Sequence, residues 1–297
     1  MEVQMEENVS ELMQVLSLET VDGPAPGGET HCFKAWNQKK PGGRLFGGQV
    51  LAQCVAATSQ TMSEDRFIHS IHGYFLRAGR DDTDLFLGVE NLRDGGSFST
   101  RRVQAYQNGV PIFSAIASFQ TEQDGLEHSN AFPDDIPGPE ELQDLNEILG
   151  ETNNALIKNW IARRPFDIRP VDPELYTGFS GARTSHTRYW LRAIAPLSTD
   201  RVINAATVAY ASDYSLLESI LRRHGLSWSD PRLRMASLDH AMWWHRPINL
   251  NEWHLIDYRS PAAEGGRGLG MGSIFTHSGD LVASVAQQGM VRVKESQ

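Results

Sequence analysis

Apolar positions change their period several times along this chain, and the changes divide it into helices and strands. From about residue 8 to 22, Leu12, Val15, Leu16 and Leu18 recur on or near one helical face, until Pro24-Ala-Pro-Gly-Gly ends the pattern. Leu45-Phe-Gly-Gly-Gln-Val-Leu-Ala-Gln53 opens a small-residue helix predicted over about 47–62. Runs rich in β-branched and aromatic residues follow near 67–77, 84–92, 98–107 and 111–120, with turns at Asp94-Gly-Gly and Asn108-Gly. Between about 121 and 165 the composition changes. Pro133-Asp-Asp-Ile-Pro-Gly-Pro-Glu-Glu has linker chemistry, and a helical patch runs from about Leu142 to Ile161. An extended lead-in from Phe166 to Leu191 precedes a helix at about 203–224, then strands near 234–246, 252–262, 267–276 and 280–292.

The second series restates the first. Val208-Ala-Tyr-Ala-Ser-Asp-Tyr-Ser-Leu-Leu matches the first small-residue helix, and Met235 to His245 matches Phe67 to Arg77. The offset is about 165 to 170 residues, so the repeating unit is a whole domain and not a solenoid turn. One helix followed by about five consecutive strands, twice over, predicts an α+β fold with antiparallel sheets. Gly266, Gly268, Gly270 and Gly272 alternate along one strand and strip one face bare, which suits a sheet curved around a buried helix. That arrangement is the hotdog, here a double hotdog. The division expected is an N-terminal domain at 1–125, a linker at 126–165 and a C-terminal domain at 166–297.

The chain has 297 residues, enough for two cores, and a net charge of −10, which argues against a nucleic-acid partner. Cys32 and Cys54 form no disulfide framework, and Cys54 lies on the helical stripe of Val50 and Ala57, where packing is the expected role. There is no signal-peptide order, no apolar run of membrane-spanning length and no Ser-Lys-Leu-type tail. A cytoplasmic protein without a membrane partner is therefore expected.

Several motifs are missing or weak. The glycine run lacks a P-loop ending, and there is no Gly-x-Ser-x-Gly elbow. His69 and His72 stand three apart on a predicted strand, so their rings should face opposite ways and share no metal. The same alternation separates Asp239 from His240, and neither a metal nor a cofactor is expected. Arg77, Arg101, Arg102 and Arg246 are the cations near a strand-built site that could touch a phosphate, with solvated or structural roles the default.

Polar residues present in one repeat alone stand out against the shared scaffold. Asp213 falls in the first half of the second predicted helix, where burial costs several kcal/mol without hydrogen bonds. A helix-stabilising acid at a positive dipole end is the plain alternative, but its counterpart in the first repeat, Gln49, is neutral. Ser237 and Gln287 lie on strands that the topology can bring beside Asp213; alone, each is an unremarkable strand residue. Together they could hold one water molecule. His72 is an alternative acid–base group, but its alignment with His240 favours packing for both.

Tyr210-Ala-Ser-Asp213, Leu238 to Pro247, Asn249-Leu-Asn-Glu-Trp253 and Val282-Ala-Ser-Val-Ala-Gln287 resemble signature segments of the acyl-CoA thioesterase II family. Phe46 to Gln53, His69 to Arg77 and Gly96 to Arg102 extend the resemblance, which covers about residues 40 to 293. It implies hydrolysis of fatty acyl-CoA to free acid and coenzyme A, with Asp213, Ser237 and Gln287 activating water. Gln288 stands where the family often has Glu, and the absent peroxisomal tail points to bacterial relatives. Self-association is expected from the fold. Two other readings remain open at this level. An acyl-CoA binding module needs no polar trio, and an enoyl-CoA hydratase would need His where Glu218 follows Asp213.

Overall fold

The first apolar stripe forms α1 (Glu2–Leu16), burying Val9, Leu12, Val15 and Leu16. It ends before Leu18, contrary to expectation. Leu18 to Val21 instead make strand β1, which pairs with β2 (His31–Ala35) in register Leu18↔Ala35. A strand partner overrides local helical spacing here. The predicted helix follows as α2 (Gly47–Ser59), and then β3 (Arg66–Phe75), β4 (Leu85–Asp94), β5 (Phe98–Gln107) and β6 (Val110–Thr121).

The computed structural model describes residues 2–150, 163–173, 182–228 and 230–294. Of the helical patch expected at 142–161, α3 (Leu145–Leu149) falls within them and residues 151–161 lie outside. The lead-in becomes β7 (Phe166–Pro170) and β8 (His186–Ala193), with 174–181 outside the described residues. The single helix expected at 203–224 is in fact two, α4 (Arg201–Ser212) and α5 (Glu218–His224), separated by tight turns. Ser212, Asp213 and Ser215 sit at the break, and such side chains compete with the helical backbone for hydrogen bonds. Asp213 is thus the C-cap of α4, not a mid-helix residue.

The strand expected at 234–246 is likewise divided, into β9 (Leu233–Ser237) and β10 (Asp239–Trp244). β11 (His254–Glu264), β12 (Arg267–Thr276) and β13 (Leu281–Val293) complete the chain. The strands form one sheet in the order β1-β2-β4-β5-β6-β3-β10-β13-β12-β11-β8-β7, with β9 also on β13. The two halves meet where β3 pairs antiparallel with β10, His72 opposite Ala241 and Gly73 opposite His240.

Every residue of α2 from Gly48 to Thr58 is buried. Each Val or Leu there contributes about 1.5–3 kcal/mol through removal from water. Gln53 is inside too, donating to the carbonyls of Val15 and Trp36, and Gln49 accepts from the Gln38 amide. The bare strand faces do what their spacing promised. A Cβ on Gly270 would lie 2.3 Å from the Leu216 carbonyl oxygen, and one on Gly268 would meet Ile220. Gly266 departs from this stripe, because it is a turn residue at φ +76° between β11 and β12.

Candidate active site

Three local features assemble the site. The first is the end of α4, where Asp213 leaves the helix facing the start of α2. The approach is close, since a Cβ on Gly47 would fall 2.7 Å from Asp213 Oδ2 and one on Gly48 2.4 Å from the Tyr210 carbonyl oxygen. Phe46, the N-cap of α2, makes no side-chain cap, and the Gly48 backbone N–H at that helix start favours the charged form of the Asp213 carboxylate instead. Asp213 therefore meets the positive end of α2, while its own helix presents the negative end. The dipole expectation survives only through the neighbouring helix.

The second feature is a β-bulge at Leu238. Ser237 pairs with Gly289 on β13 whereas Ala241 pairs with Ala286, so the bulged strand carries one extra residue. Leu238 donates to the Gln288 carbonyl and accepts from Phe75 N–H. Asp239 then takes the Gln288 N–H at 2.8 Å, satisfying an amide beside the break in the ladder. On a regular strand Ser237 and His240 would face opposite sides. The extra residue sends both inward.

The third feature is Gln287, buried on β13. Its Nε2 donates to Asp213 Oδ1 at 2.9 Å and to Ser237 Oγ at 2.7 Å, while Ser237 Oγ donates to the same Oδ1 at 3.1 Å. The three candidates converge. Behind them stands His240, with Nδ1 2.5 Å from Gln287 Oε1 and Nε2 3.0 Å from Ser212 Oγ. Burial pushes Asp213 above the usual carboxylate range, and His240, Gln287, Ser237 and the Gly48 amide restrain that rise. Burial pushes His240 below its ordinary value, so the ring is held neutral. A carboxylate whose proton affinity is raised by burial, oriented by a hydroxyl and an amide, is suited to take a proton from water.

The residue missed from sequence is His240. Its alignment with His72 suggested a shared packing role, yet His72 is exposed and edge-on to Trp243. A further expectation fails at His69. A register shift between Ile68 and Ser70 takes His69 out of simple alternation, and its ring bonds Ser118 Oγ, which lies opposite Ser70 on the face that carries His72. The two rings keep separate partners. The described residues contain no group of three His, Cys, Asp or Glu side chains placed to hold a metal.

Arg101 is buried and tied to Asp94 and Thr61, Arg102 pairs with Glu90, Arg246 with Glu127, and Arg77 donates to the Pro111 carbonyl. Glu218, the residue at the hydratase spacing, accepts from Trp228 Nε1 at 2.6 Å. Cys32 and Cys54 are buried free thiols, and burial pushes both above the usual thiol range. A cleft of about 510 Å³ opens by Ser59, Arg201 and Val202, at the ends of α2 and α4 remote from Asp213. None of the three candidates lines it.

Similarity to known proteins follows the same two halves. The acyl-CoA thioesterase profile matches residues 161–290, and the acyl-CoA thioesterase N-terminal domain profile matches residues 36–120. Acyl-CoA thioesterase 2 of Haemophilus influenzae is 34% identical, over 98% of this chain and 100% of its own length. The crystal structure of an acyl-CoA thioesterase II from Mycobacterium marinum superposes with a TM-score of 0.76 at 36% identity, covering 97% of this chain and 99% of that one. A hot dog fold protein of unknown function from Alicyclobacillus acidocaldarius gives 0.77 at 14% identity, covering 96% and 99%, a likeness of fold alone. With its double hotdog and a full-length relative above 30% identity, the chain belongs to the acyl-CoA thioesterase II family.

Proposed function

We propose that this acyl-CoA thioesterase hydrolyses fatty acyl-CoA by direct attack of a water molecule held by Asp213, Ser237 and Gln287. One observation carries the assignment: side chains from α4, β9 and β13, far apart in the chain, share hydrogen bonds at Asp213 Oδ1. Asp213 accepts the proton of the attacking water, Ser237 and Gln287 orient it, the new C–O bond gives a tetrahedral oxyanion, and collapse of that oxyanion breaks the C–S bond. The proton then passes to the coenzyme A thiolate. A well-placed base supplies about 10²–10⁴-fold in rate. The oxyanion needs hydrogen-bond donors, each worth on the order of 3 kcal/mol, and the start of α2 beside Asp213 is the candidate source of backbone N–H groups other than that of Gly48. The plain alternative, a polar cluster that only stabilises the fold, is disfavoured by the raised Asp213, since a stabilising acid is normally held low.

The mechanism excludes an acyl-enzyme. Hydrolysis in ¹⁸O-water, followed by mass spectrometry of acid and protein, is expected to place label in the acid and leave the protein unmodified in a single turnover. An acyl adduct on the protein contradicts direct attack. A binding module would release no thiol at all, and a hydratase would consume the conjugated absorbance of enoyl-CoA.

The domain division at 1–125, 126–165 and 166–297 is supported by a strand path that crosses between halves at β3–β10. No helix among the described residues is long and apolar enough to cross a membrane. A cytoplasmic homo-oligomer acting on acyl-CoA, with no membrane or nucleic-acid partner and no cofactor, completes this reading. Size-exclusion chromatography with light scattering tests the oligomer.

A further inference from the structure

The carboxamide of Gln287 has two ends with opposite hydrogen-bonding character, and only one orientation serves Asp213. With Nε2 forward, two N–H bonds reach Asp213 Oδ1 and Ser237 Oγ. Turned round, the amide oxygen would lie against the carboxylate, and two acceptors would repel. The forward orientation leaves Oε1 pointing back into the protein, where it needs a donor. His240 stands directly across the strand pair from Gln287 and places Nδ1 2.5 Å from Oε1. His240 is almost fully buried at 1% exposure, and the Ser212 hydroxyl at its other nitrogen fixes the ring plane.

We infer that His240 is a positioning residue, whose Nδ1–H locks the Gln287 amide with its nitrogen toward Asp213 and Ser237. The inference rests on the proposed role of Gln287 in orienting water. The chain of contact runs from Ser212 on α4 through His240 on β10 to Gln287 on β13, and returns to Asp213 beside Ser212. The tautomer follows from geometry, since Oε1 can only accept. A neutral ring then leaves Nε2 as an acceptor, so the single Ser212 hydroxyl proton is turned to Nε2 or shared between it and the Ala209 carbonyl oxygen 2.8 Å away. An Asn at this position could present a side-chain N–H where Nδ1 lies; a Leu could not.

Steady-state hydrolysis by His240→Leu, His240→Asn and Gln287→Ala, with the Leu/Ala double variant, tests this. We expect His240→Leu to lose about 10²-fold in kcat with KM within about three-fold, because orientation and not binding is lost. His240→Asn should recover to within about ten-fold of the native enzyme. In the Gln287→Ala background, His240→Leu should cost less than about two-fold more, since the two act as a unit. A folded His240→Leu enzyme with native kcat, or a full second loss on top of Gln287→Ala, overturns the inference. Should His240→Leu not fold, ¹⁵N-histidine-labelled native protein keeps it testable by NMR. A slowly exchanging downfield Nδ1–H proton is expected and should shift in Gln287→Ala; its absence, or an unmoved signal, overturns the inference. The wider assignment fails separately, if Gln287→Ala alone hydrolyses acyl-CoA at the native rate.

Discussion

Asp213 keeps a carboxylate where burial opposes its charge, and the opposition is measurable. Burial is the largest influence and raises its proton affinity, with His240, Gln287, Ser237 and the Gly48 amide pulling the other way. The acid limb of kcat/KM should therefore lie above the ordinary carboxylate value of 3.8, activity falling as pH drops through the raised pKa. A pH–rate profile reads this directly, and a limb at the ordinary value contradicts it. The stability sign is opposite. A group whose folded pKa is raised stabilises the fold most below its unfolded value and loses that contribution as pH rises through the folded one. Above the raised pKa the charge is thus a burden, so Asp213→Asn should raise the melting temperature there in a scanning calorimeter, as expected where stability is traded for activity. A clear fall would mean that the carboxylate holds the fold together. Asp213, Ser237 and Gln287 were legible from their motifs. His240 was not, because its partner is fixed by which face it takes, and a shift of one residue decides that.

At the scale of elements, two irregularities build the site, and neither shows in hydrophobic periodicity. The bulge at Leu238 turns Ser237 inward, and the break after Ser212 frees Asp213 to meet the start of α2. A periodic pattern averages over just such single-residue departures, so one strand and one helix were expected where each is divided. β1 and β2 were missed for a different reason: their pairing is tertiary, and the four residues from Leu18 to Val21 are too few to set a period. By contrast β5 and β12 run as expected, 98–107 and 267–276, because turns bound them clearly. Glycine contacts make the consequences testable. Gly48→Ala would put a methyl 2.4 Å from the Tyr210 carbonyl oxygen and push the end of α4 away. We expect a loss of about 10-fold or more in kcat, since small misplacements at the reacting centre are costly. Native kcat in that variant would contradict the close-approach account. Gly270→Val collides with the Leu216 backbone, and its urea midpoint should fall by an amount equal to about 1–3 kcal/mol.

For the whole molecule, duplication yields one continuous sheet, with the Asp213, Ser237 and Gln287 cluster in its second half. Gln49, the counterpart of Asp213 in the first repeat, ties down Asn37 and Gln38, so that helix start serves structure. The buried histidines His240 and His254 resist protonation, which opposes the fold as pH falls. Burial pushes His254 down to about 4 while its Nδ1 faces the Glu252 carbonyl. Its neutral form stabilises the protein above the unfolded value of about 6.5, and that contribution is lost as pH falls toward about 4. His254→Asn should therefore narrow the melting-temperature gap between about pH 7 and about pH 5, and an unchanged gap contradicts this. Above all, the molecule is held to act through one proton acceptor. The most direct test is thiol release from a fatty acyl-CoA by purified Asp213→Asn protein, with folding checked by circular dichroism. A loss of about 10²–10⁴-fold in kcat with the fold intact is predicted. Turnover near the native rate in that folded variant would contradict the account.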